Sequence, residues 1–404
     1  MQYWAMKATI RTFQSGCGDC IFLILEDAMS GESFHIMIDC GLFTPEIKTF
    51  VVQKLELRID LLIVTHFDDD HIAGIIKMLL ELEKLKIGKI LFNCFQNYDE
   101  NASVEIPSED KELLDRYVTN IHLSPNPNNT KISVPHAALL SLLLKSNDKW
   151  FKAWNREILI EGDTINVGND TKWGRFLVLS PSSEAWDNLK DYFVKEYVKC
   201  VHSRPPQGAF KNQDAYWEML LRIAASKPQI KKMIPISSSM ISKSFLQKKA
   251  AANPNEIGIT SPNKASLALV WECNGKRILL GGDAIASQLY EAIKKHYDGN
   301  HILFEAIKIP HHGSKNNMSN ELSLLVDTEH YFLTGGKKDE GPNYETLAKI
   351  ILHPIEDGIQ SHTVHYNRIL NLTELQCLIK DEYKELLESC KAKLTNENEY
   401  TFEY

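Results

Sequence analysis

Hydrophobic residues in the N-terminal third of the chain form short runs rich in β-forming side chains. The runs at 6–13, 20–26 and 34–40 are separated by segments that contain glycine, as expected for strands joined by turns. A fourth run, 57–66, has an apolar centre of the kind found in strands buried on both faces. The pattern therefore predicts four strands before residue 67.

The period then changes from that of a strand to that of a helix. Apolar residues recur at i, i+3, i+4, i+7 and i+8, at Ile72, Ile75, Ile76, Leu79 and Leu80. Gly88 ends this helix, and the run that follows it predicts another strand. Strand, loop and helix in this order predict a layered α/β domain.

The strand pattern returns in the second half of the chain. Residues 176–186 predict a strand and turn, and 266–284 predict a hairpin whose turn is the Asn-Gly of "CNGK". Residues 306–317 and 330–336 predict two further strand-and-loop units. The strands of the first and second halves together supply enough elements for two sheets.

Two segments interrupt or follow this pattern. Residues from about 187 to 260 are mixed in character and predict an insertion or lid, and a weak helical signal covers 136–145. From about residue 372 the chain has alternating charges and a helical period, which predicts a helical tail on the outside of the domain.

Composition narrows the class of protein. The 404 residues carry a net charge of −8 and are 44% hydrophobic, which is ordinary for a globular protein and argues against binding nucleic acid by global charge. A local basic patch or a metal site can still bind nucleic acid. Without an apolar run of 18 residues, a secretory leader or a disulfide-like cysteine spacing, we expect a cytoplasmic protein that does not enter membranes.

The segment "THFDDDH" (65–71) follows the buried strand at 57–66 and holds the candidate ligands His66, Asp68, Asp70 and His71. Zn²⁺, Mn²⁺ and Fe²⁺ accept imidazole nitrogen and carboxylate oxygen, and a tight loop before a helix brings such donors together. The alternative is a helix N-cap at Asp70 with His71 in the first turn. A cap accounts for one aspartate, so the crowding of histidines and carboxylates favours a metal site.

Two later segments repeat this arrangement of ligands after a strand. Asp283 follows an apolar strand and two glycines, and His311 and His312 follow another apolar strand. A Gly-Asp pair alone indicates little, and paired histidines alone can be structural. Because all three segments end a buried strand, we expect their side chains to meet at one edge of the sheets.

These motifs resemble the metallo-β-lactamase superfamily, most closely the soluble hydrolase domain of the ComEC-like DNA-uptake proteins and their free-standing relatives. The resemblance rests on H-x-D-x-D-H, a later Gly-Asp and "HHGS", with "GCGDCIFL" (16–23), "MIDCG" (37–41), "LVLSP" (177–181) and "YETLAKII" (344–351) in order. It covers about 1–100, 160–185 and 262–353. It implies an α/β fold, the four-layer αββα sandwich, over 1–353 with an insertion at about 187–260. A helical extension would then occupy 354–404.

The resemblance also implies roles for the site residues. His66 and Asp68 would bind a first metal, Asp70 and His71 a second, and Asp283 would bridge the two. His312 would complete the second site, and His311 would be a ligand, a hydrogen-bond partner of a ligand or a proton donor. Further roles fall to Asp39, which would orient the metal-binding loop, and to Ser314, Lys315 and Asn316, which would face the substrate.

Two departures from the family pattern concern the ligand set. Many superfamily members place a histidine between the first motif and Gly-Asp, but this interval holds only His122, His136 and His202. The third ligand of the first metal is therefore His136, His202 or absent. Relatives often carry Gly-His-Pro before the final helix, whereas Gly341 stands here at the position of that histidine.

A separate motif, Cys17-x-x-Cys20, has the spacing of a redox pair or half a zinc site. No second such pair exists in the sequence, and the motif lies at the start of a strand. A structural turn is the favoured interpretation.

The sequence thus predicts a metal-dependent hydrolase with one or two divalent ions, Zn²⁺ or Mn²⁺, with Mg²⁺ possible. Asp70 or Asp283 would orient the attacking hydroxide and accept its proton, with His311 as a further catalytic group. Asp68 makes the ligand set rich in oxygen, which favours a phosphodiester substrate in nucleic acid or a nucleotide. The alternatives are a thioester, amide or lactam hydrolase, and a non-catalytic subunit that binds a protein partner through the insertion or the C-terminal helices.

Overall fold

The computed structural model describes residues 6–93, 140–141, 143–144, 147–155, 157–189, 192, 241–256, 259–336, 341–355, 358–367 and 374–404. Most of the predicted helix at 136–145 and most of the predicted insertion at 187–260 lie outside these ranges.

The first sheet has six strands. They are β1 (Met6–Thr12), β2 (Ile21–Asp27), β3 (Ser33–Ile38), β4 (Arg58–Val64), β5 (Lys86–Phe92) and β16 (Glu399–Glu403). Their order across the sheet is β16-β1-β2-β3-β4-β5. The strands from β3 to β5 are parallel, so their carboxyl ends meet at one edge.

The second sheet has eight strands, and a short parallel pair lies beside it. The eight are β6 (Thr164–Asn166), β7 (Arg175–Ser180), β8 (Ala268–Cys273), β9 (Lys276–Leu280), β11 (Ala306–Lys308), β13 (His330–Leu333), β14 (His362–Tyr366) and β15 (Ala392–Thr395), and the pair is β10 (Ile302–Leu303) with β12 (Val326–Asp327). The order is β15-β14-β13-β11-β9-β8-β7-β6. Asn274 and Gly275 both have positive φ in the β8–β9 turn, as an Asn-Gly hairpin requires.

Helices cover the outer faces of both sheets. Among the α-helices in the described part of the chain are α1 (Pro45–Thr49), α2 (Asp69–Glu81), α3 (Asp148–Ala153), α4 (Lys243–Ala250), α5 (Ser261–Lys264), α6 (Ala286–His296), α7 (Asn320–Leu325), α8 (Tyr344–Ile351), α9 (Glu374–Leu378) and α10 (Lys384–Ser389). A π-helical turn, Phe50–Lys54, continues α1, and 3₁₀ turns lie at Thr171–Trp173, Pro310–Gly313 and Asp381–Tyr383. None of the helices in the described ranges is both long and apolar enough to cross a membrane.

Alternation along each strand creates the layers. In β4, Leu61 and Ile63 point into the core between the sheets, where they join Trp271 of the second sheet. Leu62 and Val64 point the other way, into the core under α2. The second sheet packs its outer face on α6, α7 and α8 in a third apolar cluster. Helix, sheet, sheet and helix stack in this order, which confirms the predicted αββα sandwich.

The C-terminal region contains the expected helices, α9 and α10, but it is not confined to the outside. Strands β14 and β15 extend the second sheet in parallel, and β16 pairs antiparallel with β1 of the first sheet. The expectation of an external tail is corrected here. Residues 399–404 alternate polar and aromatic side chains, and Tyr404 packs against Trp271 with ring centroids 4.9 Å apart.

Cys17 and Cys20 lie buried in the turn before β2 and form no disulfide. Ser15 and Gly18 close this turn with a β-bridge, which agrees with the structural interpretation of the Cys-x-x-Cys motif.

Candidate metal centre

The loop between β4 and α2 carries the first group of candidate ligands. Helix α2 begins at Asp69, and its N-cap residue is Asp68, whose side chain makes no capping hydrogen bond. The capping alternative, which put Asp70 at the N-cap, is therefore wrong. The carboxylate of Asp68 therefore does not cap the helix and is available as a metal ligand.

The other ligand loops follow β9 and β11 in the second sheet. His311 and His312 both have left-handed backbone conformations, with φ of 47° and 53°. Such conformations are sparse for residues other than glycine and persist only where the surroundings hold them. The amide of His311 donates to the carbonyl of Gly282, 2.9 Å away, and so ties this turn to the loop that carries Asp283.

Asp283 lies at the centre of the four histidines. Its Oδ2 is 3.4 Å from Nε2 of His71, 3.6 Å from that of His311, 3.7 Å from that of His66 and 3.9 Å from that of His312. These distances exceed those of good hydrogen bonds and suit donors that share a cation. The structure thus places Asp283 within 3.9 Å of all four histidines, and its bridging role stays a prediction.

The remaining carboxylates stand on either side of this centre. Asp68 Oδ2 is 3.8 Å from Nε2 of His66, and Asp70 Oδ2 is 3.6 Å from Nε2 of His312. Two triads of donor atoms each lie within 4.8 Å of one another, one of His66, His71 and Asp283 and the other of Asp70, His71 and His312. All six predicted ligands are therefore in one place.

Several donor atoms of the centre are buried without a hydrogen-bond partner. They are Nε2 of His66, His71 and His312 and Oδ1 of Asp68 and Asp283. A buried polar atom left unpaired costs about 1–3 kcal/mol, so a cluster of them is unfavourable without a ligand. Imidazole nitrogens and carboxylate oxygens aimed at one point fit a divalent cation of the zinc or manganese type.

Hydrogen bonds on the far side of each ring hold the histidines in place. Nδ1 of His71 is 2.8 Å from Oδ2 of Asp39, a carboxylate that also accepts from the amide and hydroxyl of Thr65. Nδ1 of His66 lies 3.0 Å from the Thr65 hydroxyl. In both rings Nδ1 is thus held by a protein oxygen and Nε2 points to the candidate metal centre. Metal-binding histidines adopt this arrangement.

The histidines of the second sheet are held in the same way. Nδ1 of His312 is 3.1 Å from Oδ1 of Asp19 and 3.0 Å from the carbonyl of Thr334. Nδ1 of His311 is 2.9 Å from Oδ1 of Asn317. His311 is also the most exposed of the four rings, with 19% of its side chain accessible.

Asp19 and Lys308 are parts of this site that sequence reasoning missed. The ammonium of Lys308 is buried, pairs with the carboxylate of Asp19, donates to the carbonyl of Gly282 at 3.0 Å and lies 3.9 Å from Oδ1 of Asp283. A lysine inside the apolar strand "AIKIP" and the aspartate of "GCGD" were the available signals. A buried lysine needs a carboxylate partner, but the sequence does not say which.

Burial and charge set the protonation of the centre. Burial, helped by repulsion from His71, lowers the pKa of His66 to about 3, so this ring is neutral as a metal ligand must be. Burial opposes protonation of His71, but Asp283 and Asp39 prevail and raise its pKa. Burial and the neighbouring Asp70 raise the pKa of Asp68. This excess of carboxylate charge attracts protons and would attract a cation in their place.

The predicted substrate-side residues differ in their access to solvent. Lys315 is exposed and Asn316 half-buried, whereas Ser314 is buried and accepts a hydrogen bond from Thr346 through its carbonyl. A Cβ added to Gly341 would lie 2.6 Å from the carbonyl oxygen of His312. Glycine at position 341 is thus required by close packing on the His-His turn.

His122, His136 and His202 lie outside the described residues, so the third ligand of the first metal stays a prediction.

The four-layer fold and this donor set define the class of protein. The sequence profile of the metallo-beta-lactamase superfamily matches residues 21–93, which run from β2 past the end of β5 and include His66, Asp68, Asp70 and His71. The match covers less than a fifth of the chain, and together with the four-layer fold it supports a metallo-β-lactamase superfamily domain, a superfamily whose members are mostly metal-dependent hydrolases and related enzymes.

Particular proteins resemble the chain only distantly. Among solved structures, the diiron β-hydroxylase CmlA from Streptomyces venezuelae and a point mutant of CmlA each align with a TM-score of 0.38 and 10% identity. Each alignment covers 98% of this chain and 54% of the hydroxylase, so the chain spans about half of that protein's length. Likeness at this level supports no conclusion about activity or metal. No curated protein matches the sequence.

Proposed function

We propose that the protein is a metal-dependent hydrolase that cleaves phosphodiester bonds in nucleic acid or nucleotides. The observation that carries this proposal is the set of buried, unpartnered donor atoms on His66, Asp68, His71, Asp283 and His312. The resemblance of the motifs to ComEC-like hydrolase domains supports the choice of a phosphodiester.

The ligands of the proposed centre are the six residues predicted from sequence: His66, Asp68, Asp70, His71, Asp283 and His312. A divalent cation held there would lower the pKa of a water molecule and polarise the scissile phosphate. Zn²⁺ and Mn²⁺ suit this mixture of imidazole and carboxylate, and Mg²⁺ suits its oxygen-rich side.

The side chains of the centre supply orientation and proton transfer. The Asp70 and Asp283 carboxylates face the histidines of the centre and can accept the proton of the attacking water. His311 Nε2 lies 3.6 Å from Asp283 on the more exposed side of the centre. Because Nδ1 of His311 donates to Oδ1 of Asn317, Nε2 is the nitrogen that can take up the proton released by the attacking water and then pass it to the leaving oxygen.

Charge favours an anionic substrate. Two divalent cations would carry more positive charge than Asp68, Asp70 and Asp283 carry negative charge, so the loaded centre attracts phosphate. Lys315 adds an exposed ammonium four residues after His311. The uncharged carbonyl of a thioester or lactam would gain less from this charge than an anionic phosphodiester.

The first test measures metal and turnover together. We expect the purified protein to hold about two divalent ions in this centre, and to cleave single-stranded DNA, RNA or cyclic nucleotides with Mn²⁺. The double variant His66→Ala, Asp283→Ala should lose this metal and all turnover, while His296→Ala, a surface histidine paired with Glu161, keeps both. Full metal content in the double variant would falsify the site, and turnover of thioesters or lactams alone would overturn the substrate.

A second variant tests the substrate class without touching a ligand. Lys315→Met should raise KM for a phosphodiester by up to about fivefold, because an exposed ion pair contributes little more. Metal content and kcat should stay unchanged. An unchanged KM at low ionic strength would remove Lys315 from the substrate site.

A further inference from the structure

A second cluster of ligand-type side chains lies at the opposite ends of the strands. Asp327 closes β12, His353 follows α8, and His362 opens β14. All three are buried, with exposures of 0%, 7% and 0%. The centre described above follows the carboxyl ends of β9 and β11, so the two clusters occupy opposite edges of the second sheet.

The two oxygens of Asp327 have different surroundings. Oδ1 accepts hydrogen bonds from the hydroxyl of Tyr331 at 2.7 Å and the amide of Thr328 at 2.8 Å. Oδ2 faces Nδ1 of His353 and Nε2 of His362, each 3.3 Å away, and Nε2 of His362 is 3.1 Å from Oδ1. Oδ2 therefore has two imidazole nitrogens near it and no short hydrogen bond.

His353 is surrounded by acceptors. Its Nε2 donates to the carbonyl of Ser323, and its Nδ1 faces the carbonyl of Pro354 at 3.0 Å besides Oδ2 of Asp327. A ring with one proton would point its Nδ1 lone pair at two oxygens. With the ring proton on Nε2, the oxygens around Nδ1 favour positive charge there, either a second proton or a cation.

The distances favour a cation. A charge-assisted hydrogen bond between imidazolium and carboxylate is about 2.7–2.9 Å long. Ligands about 2.0–2.1 Å from a tetrahedral Zn²⁺ stand about 3.3–3.4 Å from one another. The two separations of 3.3 Å at Oδ2 match the second value. The donation from His353 to a carbonyl is also the bond that metal-binding histidines make with their free nitrogen.

We propose that Asp327, His353 and His362 form a second metal site. This site binds a structural Zn²⁺ and is remote from the proposed catalytic centre. The ligand atoms would be Asp327 Oδ2, His353 Nδ1 and His362 Nε2, and one ligand atom from each of these three residues lies within 4.8 Å of the other two. Closed sites of this kind stabilise folds. Here the ion ties the end of α8 to strands β12 and β14.

The test uses the full chain in which the catalytic centre is disabled. The variant His66→Ala, Asp283→Ala should retain one zinc per chain by elemental analysis. It should bind one Co²⁺ with the visible absorption of tetrahedral coordination. Adding His362→Gln should abolish both, whereas adding His296→Gln, a surface histidine beside Glu161, should leave both unchanged.

A stability measurement covers the case in which His362→Gln does not fold. Zinc should raise, and a chelator lower, the unfolding temperature of the His66→Ala, Asp283→Ala variant without any change in the cluster. A variant that holds no zinc and unfolds at the same temperature with zinc or chelator would overturn the proposal and leave a buried Asp–His ion pair. Since the catalytic centre is absent from these proteins, failure here is distinct from failure of the proposed hydrolase.

Discussion

Glycine at two positions decides where Asp70 stands. A Cβ on Gly18 would lie 1.4 Å from the carbonyl oxygen of Asp70, and one on Gly41 would lie 2.3 Å from it. The amide of Asp19 donates to the same carbonyl at 3.1 Å. The turn before β2 and the loop after β3 therefore close directly onto the first turn of α2.

Gly18→Ala should displace Asp70 and weaken metal binding. We expect the free energy of unfolding to fall by about 3 kcal/mol, since backbone and not a flexible side chain must move. Denaturant unfolding and metal titration measure the two effects. Gly31→Ala is the matched control: its Cβ meets nothing within 4 Å, so it costs only about 1–2 kcal/mol of backbone conformation and leaves metal affinity intact. Equal metal affinity in both variants would contradict the packing argument.

Lys308→Met should destabilise the protein by about 3–5 kcal/mol, because it leaves Asp19 buried and unpaired. The double variant Asp19→Asn, Lys308→Met should recover part of this loss, as a double-mutant cycle by chemical denaturation would show. Lys276→Met breaks an exposed pair with Glu305 and should cost about 1 kcal/mol or less. Additive effects at Asp19 and Lys308 would mean that the two charges act independently.

Whether a site residue could be predicted depended on how far it lies along the sequence from the residues that it contacts. His66, Asp68, Asp70 and His71 could be found because one loop carries them at ligand spacing. The residues that hold these ligands in position by hydrogen bonds and ion pairs could not all be found in this way. Asp19 and Lys308 are in contact although they lie far apart in the sequence. No local sequence pattern predicts such a contact.

At the scale of elements, the last strand depends on a half-buried histidine. His330 of β13 stacks on Tyr400 of β16 with ring centroids 3.5 Å apart, and its Nδ1 lies 3.0 Å from Nε2 of His365. Burial, together with His365, lowers the pKa of His330 to about 4. The neutral ring of His330 is therefore part of the contact between β13 of the second sheet and β16 of the first sheet.

Acid should weaken this contact between β13 and β16. Because the folded pKa of about 4 lies below the unfolded value of about 6.5, the unfolded chain binds more protons between these values. Stability from His330 is complete above about pH 6.5 and is lost as the pH falls towards 4. We expect His330→Phe to show a smaller loss of unfolding temperature than the natural protein over this range. Identical pH profiles would assign the acid sensitivity to other groups.

Local signals predicted some elements and missed others. The Asn-Gly turn defined the β8–β9 hairpin, and the apolar stripe from Ile72 to Leu80 defined α2. Strand β16 was missed, although residues 399–404 alternate in polarity, because the helical charge pattern before them dominated the interpretation. Its partner, β1, is the most distant strand in the sequence.

For the whole molecule, the carboxylates of the centre link stability to metal. Asp68, Asp70 and Asp283 lie close together and repel one another when no cation is bound. A chelator should therefore lower the unfolding temperature of the natural protein, and Zn²⁺ or Mn²⁺ should restore it. At a free metal concentration one hundred times Kd the gain is about 2.7 kcal/mol per site. Calorimetry that shows no difference between the chelated and the loaded protein would contradict a preformed centre.

The architecture as a whole was predictable because alternating strands, helical stripes and ligand motifs pointed to the same sandwich. The Asp327 cluster was not predictable. Its three residues come from three elements, none carries a motif, and each alone has the environment of an ordinary buried polar residue.

The pairing of β1 with β16 has a consequence for synthesis of the protein. Strand β1 is synthesised long before its outer neighbour and can pair with it only when residues 399–403 have been made. Until then β1 exposes an unpaired edge that other chains can join. Folding of the first sheet is thus complete only after residues 399–403 have been made, and a nascent chain stalled before them is the form most prone to aggregate.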